Sequence, residues 1–151
     1  MIKIIVNDEK IVYEELKILF KEMNNSDKYD SAKIFYYKVR NKDKEINAMK
    51  HSTYITARRQ EDNKLIGIVR IKGDSTYEYY ISEVMVIPSF QGQGIGGRLM
   101  KATLEYCKKD GFMSIFLTSA KGKKSYYRKF GFKITDFNVM SILPKNLKDK
   151  K

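Results

Sequence analysis

The sequence holds one cysteine, one histidine and no apolar run of membrane length. A single cysteine, Cys107, excludes an internal disulfide and suits a reducing compartment, so a cytoplasmic protein is expected. His51 alone cannot build a His-based metal site, and no metal is expected. It stands at the end of a short predicted helix, where a histidine serves as a cap or a surface residue. No stretch approaches the ~20 apolar residues of a membrane span. The opening Met1-Ile2-Lys3-Ile4-Ile5-Val6 is too short for a signal peptide and is followed at once by Asp8 and Glu9. No membrane partner is expected. Repeats, linkers and low-complexity tracts are absent, as is any RNP-type, zinc or helix-turn-helix pattern, so no nucleic-acid partner is expected.

What is present is a soluble balance: 42% hydrophobic and 32% charged side chains over 151 residues. That length predicts one domain, residues 1–151, with one core. The net charge is +12, and residues 101–151, with thirteen basic side chains against four acidic, carry +9 of it. Most of these lysines read as a solvated face, with an anionic ligand as one beneficiary of the excess.

The first half of the chain reads as strand 2–6, helix 11–23, a second helix around Ile34–Val39, and a short helix over 43–51. Alternation then predicts a hairpin, with arms from Thr53 and over Leu65–Ile71 about a turn at 60–63. A long central strand follows over Tyr77–Ile87. The helix after residue 94 is amphipathic: Ile95, Leu99, Ala102 and Tyr106 share a face, with Met100, Thr103 and Cys107 beside it. Cys107 therefore reads as core and not as a nucleophile. Met113–Leu117 is expected as a short buried strand, Ser119–Lys129 as a short helix, and 132–134 with 137–143 as a closing strand pair.

The central strand runs through Val84-Met85-Val86-Ile87 into Pro88-Ser89-Phe90-Gln91-Gly92-Gln93-Gly94-Ile95-Gly96-Gly97. A strand feeding a glycine-rich turn at a helix N-terminus makes a phosphate cradle. Free N–H groups of the first helical turn converge there, and glycines let the backbone approach the anion. Two nucleotide readings fail. Gly92, Gly94 and Gly97 spell G-x-G-x-x-G, but the fingerprint begins at residue 92, with too little chain left for a dinucleotide fold. Gly92 to Gly97 has P-loop spacing, but Arg98-Leu99 replaces the Lys-Ser/Thr pair that the P-loop needs.

Gln91-x-x-Gly94-x-Gly96 resembles the pyrophosphate loop of the GNAT superfamily of N-acetyltransferases. Tyr126-Tyr127-Arg128-Lys129-Phe130-Gly131-Phe132 resembles the second hallmark of that family, F-Y-x-K-x-G-F. Lys64-Leu65-Ile66-Gly67-Ile68-Val69-Arg70 resembles the strand that precedes the core. The matches cover roughly residues 53–132. The resemblance implies an α/β (α+β) fold, with a mixed, mostly antiparallel sheet flanked by helices and splayed between strands 4 and 5. It implies acetyl-CoA as cofactor and direct transfer of its acetyl group to a primary amine on a small molecule or a protein. Polycationic acceptors are disfavoured by the charge of the chain. Assembly as a homodimer is left open. The alternative is a non-catalytic relative that binds acyl-CoA, or an acidic partner.

By the same resemblance, Gln91, Gly92, Gln93, Gly94, Ile95, Gly96 and Gly97 hold the diphosphate. Backbone amides near Met85 and Val86 meet the pantetheine arm and the oxyanion, helped by a bulge in that strand. Tyr127 contacts the cofactor and is the candidate acid for the leaving thiolate; Tyr126 reads as core. Glu83 is the candidate base, with Glu78 and water as alternatives. Strand periodicity places Glu83 and Met85 on one face and Val84 and Val86 on the other. Ser119 stands where relatives carry an asparagine on the pantetheine arm, a departure that leaves this contact open. Lys121, Lys123, Lys124 and Arg128 are candidates for the 3′-phosphate.

Overall fold

A computed structural model describes residues 1–24, 41–109, 111–137 and 140. The two most buried strands of its sheet are the predicted hairpin, β2 (Thr53–Arg59) and β3 (Leu65–Gly73). Both are buried along nearly their whole length, as strands covered on both faces must be. Asn63, at a positive φ of 58°, turns the chain between them, and the Asp62 carboxylate accepts from the Arg59 guanidinium and from the Lys64 N–H. β1 (Ile2–Ile5) pairs antiparallel with β2, and β4 (Glu78–Val86) pairs antiparallel with β3. β5 (Ser114–Leu117) joins β4 in parallel, giving the order β1-β2-β3-β4-β5.

Helices cover the two faces. A Cβ on Gly67 would meet Leu99 of α3 (Ile95–Lys108), so Gly67 and its register partners Ala57 and Val86 face that helix. On α3, Ile95, Leu99, Met100, Thr103 and Cys107 are buried; Ala102 and Tyr106 are only half-buried. α1 (Tyr13–Asn24) buries Leu16, Leu19, Phe20 and Met23, and packs on β3 from the other face together with α2 (Lys42–Lys50). Asn41 caps α2 by accepting from the Lys44 N–H, and His51 closes it as the C-terminal cap. No helix among the described residues is long and apolar enough to cross a membrane.

The expected splay is visible in the register. β4 and β5 pair only over Glu78–Ile81 and Ser114–Leu117, so β4 continues through residues 82–86 with no strand on that side among the described residues. The second half of the chain corrects several expectations. β5 is not buried: Phe116 is 45% exposed and Met113, just before it, 70%. As the outermost described strand it has no sheet neighbour beyond it to cover it. The helix expected over 119–129 is α4 (Lys124–Arg128) alone, because Gly122 takes a left-handed φ of 77° that no helix continues through. Residues 132–134 form no strand. The helix around 34–39 and most of the strand over 137–143 lie outside the described residues.

Candidate active site

The candidate phosphate cradle is the turn that joins β4 to α3. Ile87 donates to the Ile66 carbonyl, ending β4 against β3, and Pro88–Phe90 makes one 3₁₀ turn. Gly92 and Gly94 both adopt positive φ, 77° and 75°, and a Cβ on either would meet nothing, so conformation and not crowding asks for glycine there. Gly94 is the cap residue of α3 and accepts from the Arg98 N–H, but it has no side chain to satisfy the donors behind it. The N–H groups of Ile95, Gly96 and Gly97 therefore have no acceptor among the described residues. They carry the positive end of a fourteen-residue helix dipole. Gln91 directs its side-chain amide back to the Val86 carbonyl, 2.8 Å away, and so braces the turn against β4.

Beside this turn lies the gap between β4 and β5. Alternate N–H groups of a strand point to each side, so residues 82–86 present backbone polar groups to that gap. Glu83 pairs with Arg70 and Ile81 with Ile71, leaving Ser82 as an extra residue in β4. The bulge thus sits three residues before Met85, where the strands part. The register places Val84 and Val86 toward α3, and Glu83 and Met85 toward α1 and α2, as the periodicity predicted.

Tyr127 projects from α4. Its half-buried ring packs edge-on against Tyr126 (5.2 Å between centroids) and Phe132 (6.2 Å). Burial, and then the neighbouring Tyr126 phenol, push its own phenol above the ordinary tyrosine range, so it stays protonated at neutral pH. Ser119 turns its hydroxyl to the Ala120 carbonyl. Lys121, Lys123, Lys124 and Arg128 are all exposed at the start of α4 and along it.

Glu83 is 5% exposed and lies 3.7 Å from the Arg70 guanidinium, itself only 2% exposed. The same guanidinium reaches Glu45 of α2 at 3.3 Å, donates to the Ser52 hydroxyl at 2.9 Å and stacks over Tyr54. Glu78, the other candidate base, is exposed at the opposite end of β4, where β4 and β5 are still paired. Sequence reasoning missed Arg70 and Glu45 as a unit with Glu83. The signal was an arginine inside the apolar run 65–71, since a buried guanidinium requires carboxylate partners. Cys107 is fully buried, and burial pushes its thiol up to about 11, which disqualifies it as a nucleophile. No cluster of three or more His, Cys, Asp or Glu side chains that would hold a metal occurs among the described residues.

A model of the Acetyltransferase (GNAT) family matches residues 13–132. The chain belongs to that family. Solved structures agree on the fold. A GNAT family acetyltransferase from Streptococcus pneumoniae TIGR4 superposes with a TM-score of 0.73 at 24% identity, covering 96% of this chain and 99% of that one. A GNAT family acetyltransferase from Elizabethkingia anophelis, solved with acetyl-CoA bound, superposes with a TM-score of 0.60 at 22% identity, covering 89% and 78%. In sequence, the chain is 31% identical over 88 residues to the uncharacterized N-acetyltransferase ycf52 of Porphyra purpurea. That match spans 56% of this chain and 51% of the relative, so the GNAT chain accounts for about half the length of that protein.

Acetyl-CoA is the cofactor of the GNAT family, and the residues present fit it. Three helix-end N–H groups have no acceptor among the described residues, two glycines hold the turn at positive φ, and the β4–β5 gap runs from the bulge at Ser82 up to that turn. Gln91 through Gly97 would hold the diphosphate and Met85–Val86 the arm.

Proposed function

We propose that this GNAT chain is an acetyl-CoA-dependent N-acetyltransferase acting, as one domain over residues 1–151, on a primary amine of a small molecule or a protein. The observation that carries the reading is the continuity of the parted strands β4 and β5 with the unsatisfied N–H groups of α3. From an anion anchored at the helix, an extended arm can run along residues 84–86, where β4 has no strand beside it among the described residues. The bound cofactor supplies an activated acetyl carbonyl. The Val86 N–H, which the register turns away from β3 and into the gap beside Met85, would steady charge developing on that carbonyl's oxygen. Tyr127, kept protonated by burial, gives its phenolic proton to the departing sulfur. Glu83, held by Arg70, takes the proton of the incoming ammonium through water. Ser119, exposed beside the gap, lends the arm a hydroxyl contact. A buried lone thiol suits the reducing cytoplasm, which is the compartment we assign.

The test is release of free thiol from acetyl-CoA across a panel of amines, run beside CoA titrations. Tyr127→Phe is expected to lower turnover roughly 10²-fold or more with little change in CoA affinity. Gly94→Asp, which places a carboxylate at the anion site, is expected to abolish CoA binding. CoA binding without turnover on any amine would refute catalysis and leave a binding protein.

A further inference from the structure

The aromatic side chain next to the candidate acid occupies a telling place. A Cβ on Gly96 would stand 2.8 Å from the Tyr126 hydroxyl oxygen and 4.0 Å from Val86 Cγ2. The hydroxyl therefore lies in the angle between the end of β4 and the first turn of α3. A side chain at Gly96 would have to displace that oxygen, so the two positions compete for one space.

Packing does not require the oxygen. The Tyr126 ring makes its edge contacts with Tyr127 and Phe130 at 5.2 and 5.3 Å, and phenylalanine would make both. Among the described residues the hydroxyl forms no hydrogen bond. The hydroxyl is not among the fully buried unpaired polar atoms of the described residues, so water meets it until an acceptor takes that place. Burial holds the phenol in its protonated, donating form. The acceptor suited to this place, beside the helix turn whose N–H groups have no acceptor among the described residues, is an anionic oxygen.

We propose that the Tyr126 hydroxyl is a ligand of the coenzyme's diphosphate, a side-chain donor added to the backbone N–H groups of Ile95, Gly96 and Gly97. The inference rests on the acetyl-CoA reading above and assigns to the cradle a residue whose sequence context marked it as core. Gly96 and Tyr126 are then a pair: the missing side chain of one admits the hydroxyl of the other to the phosphate.

Calorimetric titration of CoA and dephospho-CoA into wild type and Tyr126→Phe tests it, with the unfolding midpoint of each ligand-free protein measured alongside. Loss of one hydrogen bond to a charged group is expected to weaken CoA binding about tenfold or more. The same factor is expected for dephospho-CoA, which keeps the diphosphate and lacks the 3′-phosphate. The ligand-free midpoint is expected to stay put, which a purely structural hydroxyl would not allow. Equal affinity of the two proteins for CoA would overturn the proposal. So would a loss seen with CoA and not with dephospho-CoA, since that would move the contact to the 3′-phosphate. Failure of the wild type itself to bind CoA would instead bring down the cofactor reading, and this proposal with it.

Discussion

Gly67 on β3 lies so close to β4 that a Cβ there would stand 2.6 Å from the Met85 carbonyl oxygen. It would also lie 3.2 Å from Leu99 Cδ1 and from Val86 Cγ2. The nearest obstacle is backbone, which cannot rotate away as a side-chain tip can. Gly67→Ala must push β4 outward or spread the sheet from α3. Overpacking of this kind costs about 1–3 kcal/mol. The part of β4 that moves is the part assigned to the pantetheine arm, so CoA affinity is expected to fall together with the urea midpoint. An unchanged midpoint would mean that the sheet relaxes freely at this point.

Arg58 ties the start of α1 to β2. It donates to the Asp8 carboxylate at 2.8 Å and to both oxygens of Glu15, and the Thr56 hydroxyl donates to Asp8 at 2.7 Å. Burial works to raise the Asp8 pKa, but the hydrogen bonds from Thr56 and Arg58, the charge of Arg58 and the Lys10 N–H outweigh it, leaving the group below the ordinary carboxylate range. A depressed folded-state value contributes stability that is complete above the unfolded value, about 3.9, and is lost as pH falls through the folded one. Asp8→Asn is expected to cost about 1.5–3 kcal/mol at neutral pH, because the buried guanidinium loses one of its two carboxylates and keeps Glu15. It should also flatten the acid limb of the stability curve below pH ~4. Denaturation midpoints over a pH series check both, and an acid limb as steep in Asp8→Asn as in wild type would exclude Asp8 as its source.

The elements around the site were legible for physical reasons. The β2–β3 hairpin shows period-two alternation about a polar turn, α3 shows a clean apolar stripe, and the phosphate turn needs glycines at positions that a regular helix or strand would not place. The limits of α4 were less visible, because the helix begins only after the left-handed Gly122, and one glycine in a lysine-rich stretch gives no sign of its φ. Two features of the site depend on contacts distant in sequence. The Arg70–Glu45 ion pair joins residues 25 apart, and the room that Gly96 leaves for Tyr126 depends on a residue thirty positions later. Local patterning carries no record of either.

Cys107 tests the packing of α3 against the sheet. It is fully buried, and burial pushes its thiol up to about 11. The thiolate is the reactive form, so at pH 8 the folded protein should be nearly inert to a disulfide reagent. In denaturant the single thiol should react fully, one equivalent per chain. Rapid stoichiometric labelling of the native protein would show that the stripe of α3 opens to solvent.

Arg70 supports two carboxylates from different elements, Glu45 on α2 and Glu83 on β4, while also donating to the Ser52 hydroxyl. Its planar fork makes these contacts at once, which a lysine ammonium on a flexible stem cannot reproduce. Arg70→Met is expected to lose about 3–5 kcal/mol of stability, as breaking a buried ion cluster from one side does. Arg70→Lys should recover only part of it. Glu83→Gln, which keeps the shape and removes the charge, should disturb the urea midpoint less than either. If Glu83 is the base, its turnover should drop by roughly 10²-fold or more with CoA affinity retained. Full turnover in Glu83→Gln, beside a large stability loss in Arg70→Met, would make this cluster a structural tie between α2 and β4 and would leave proton removal to Glu78 or to water.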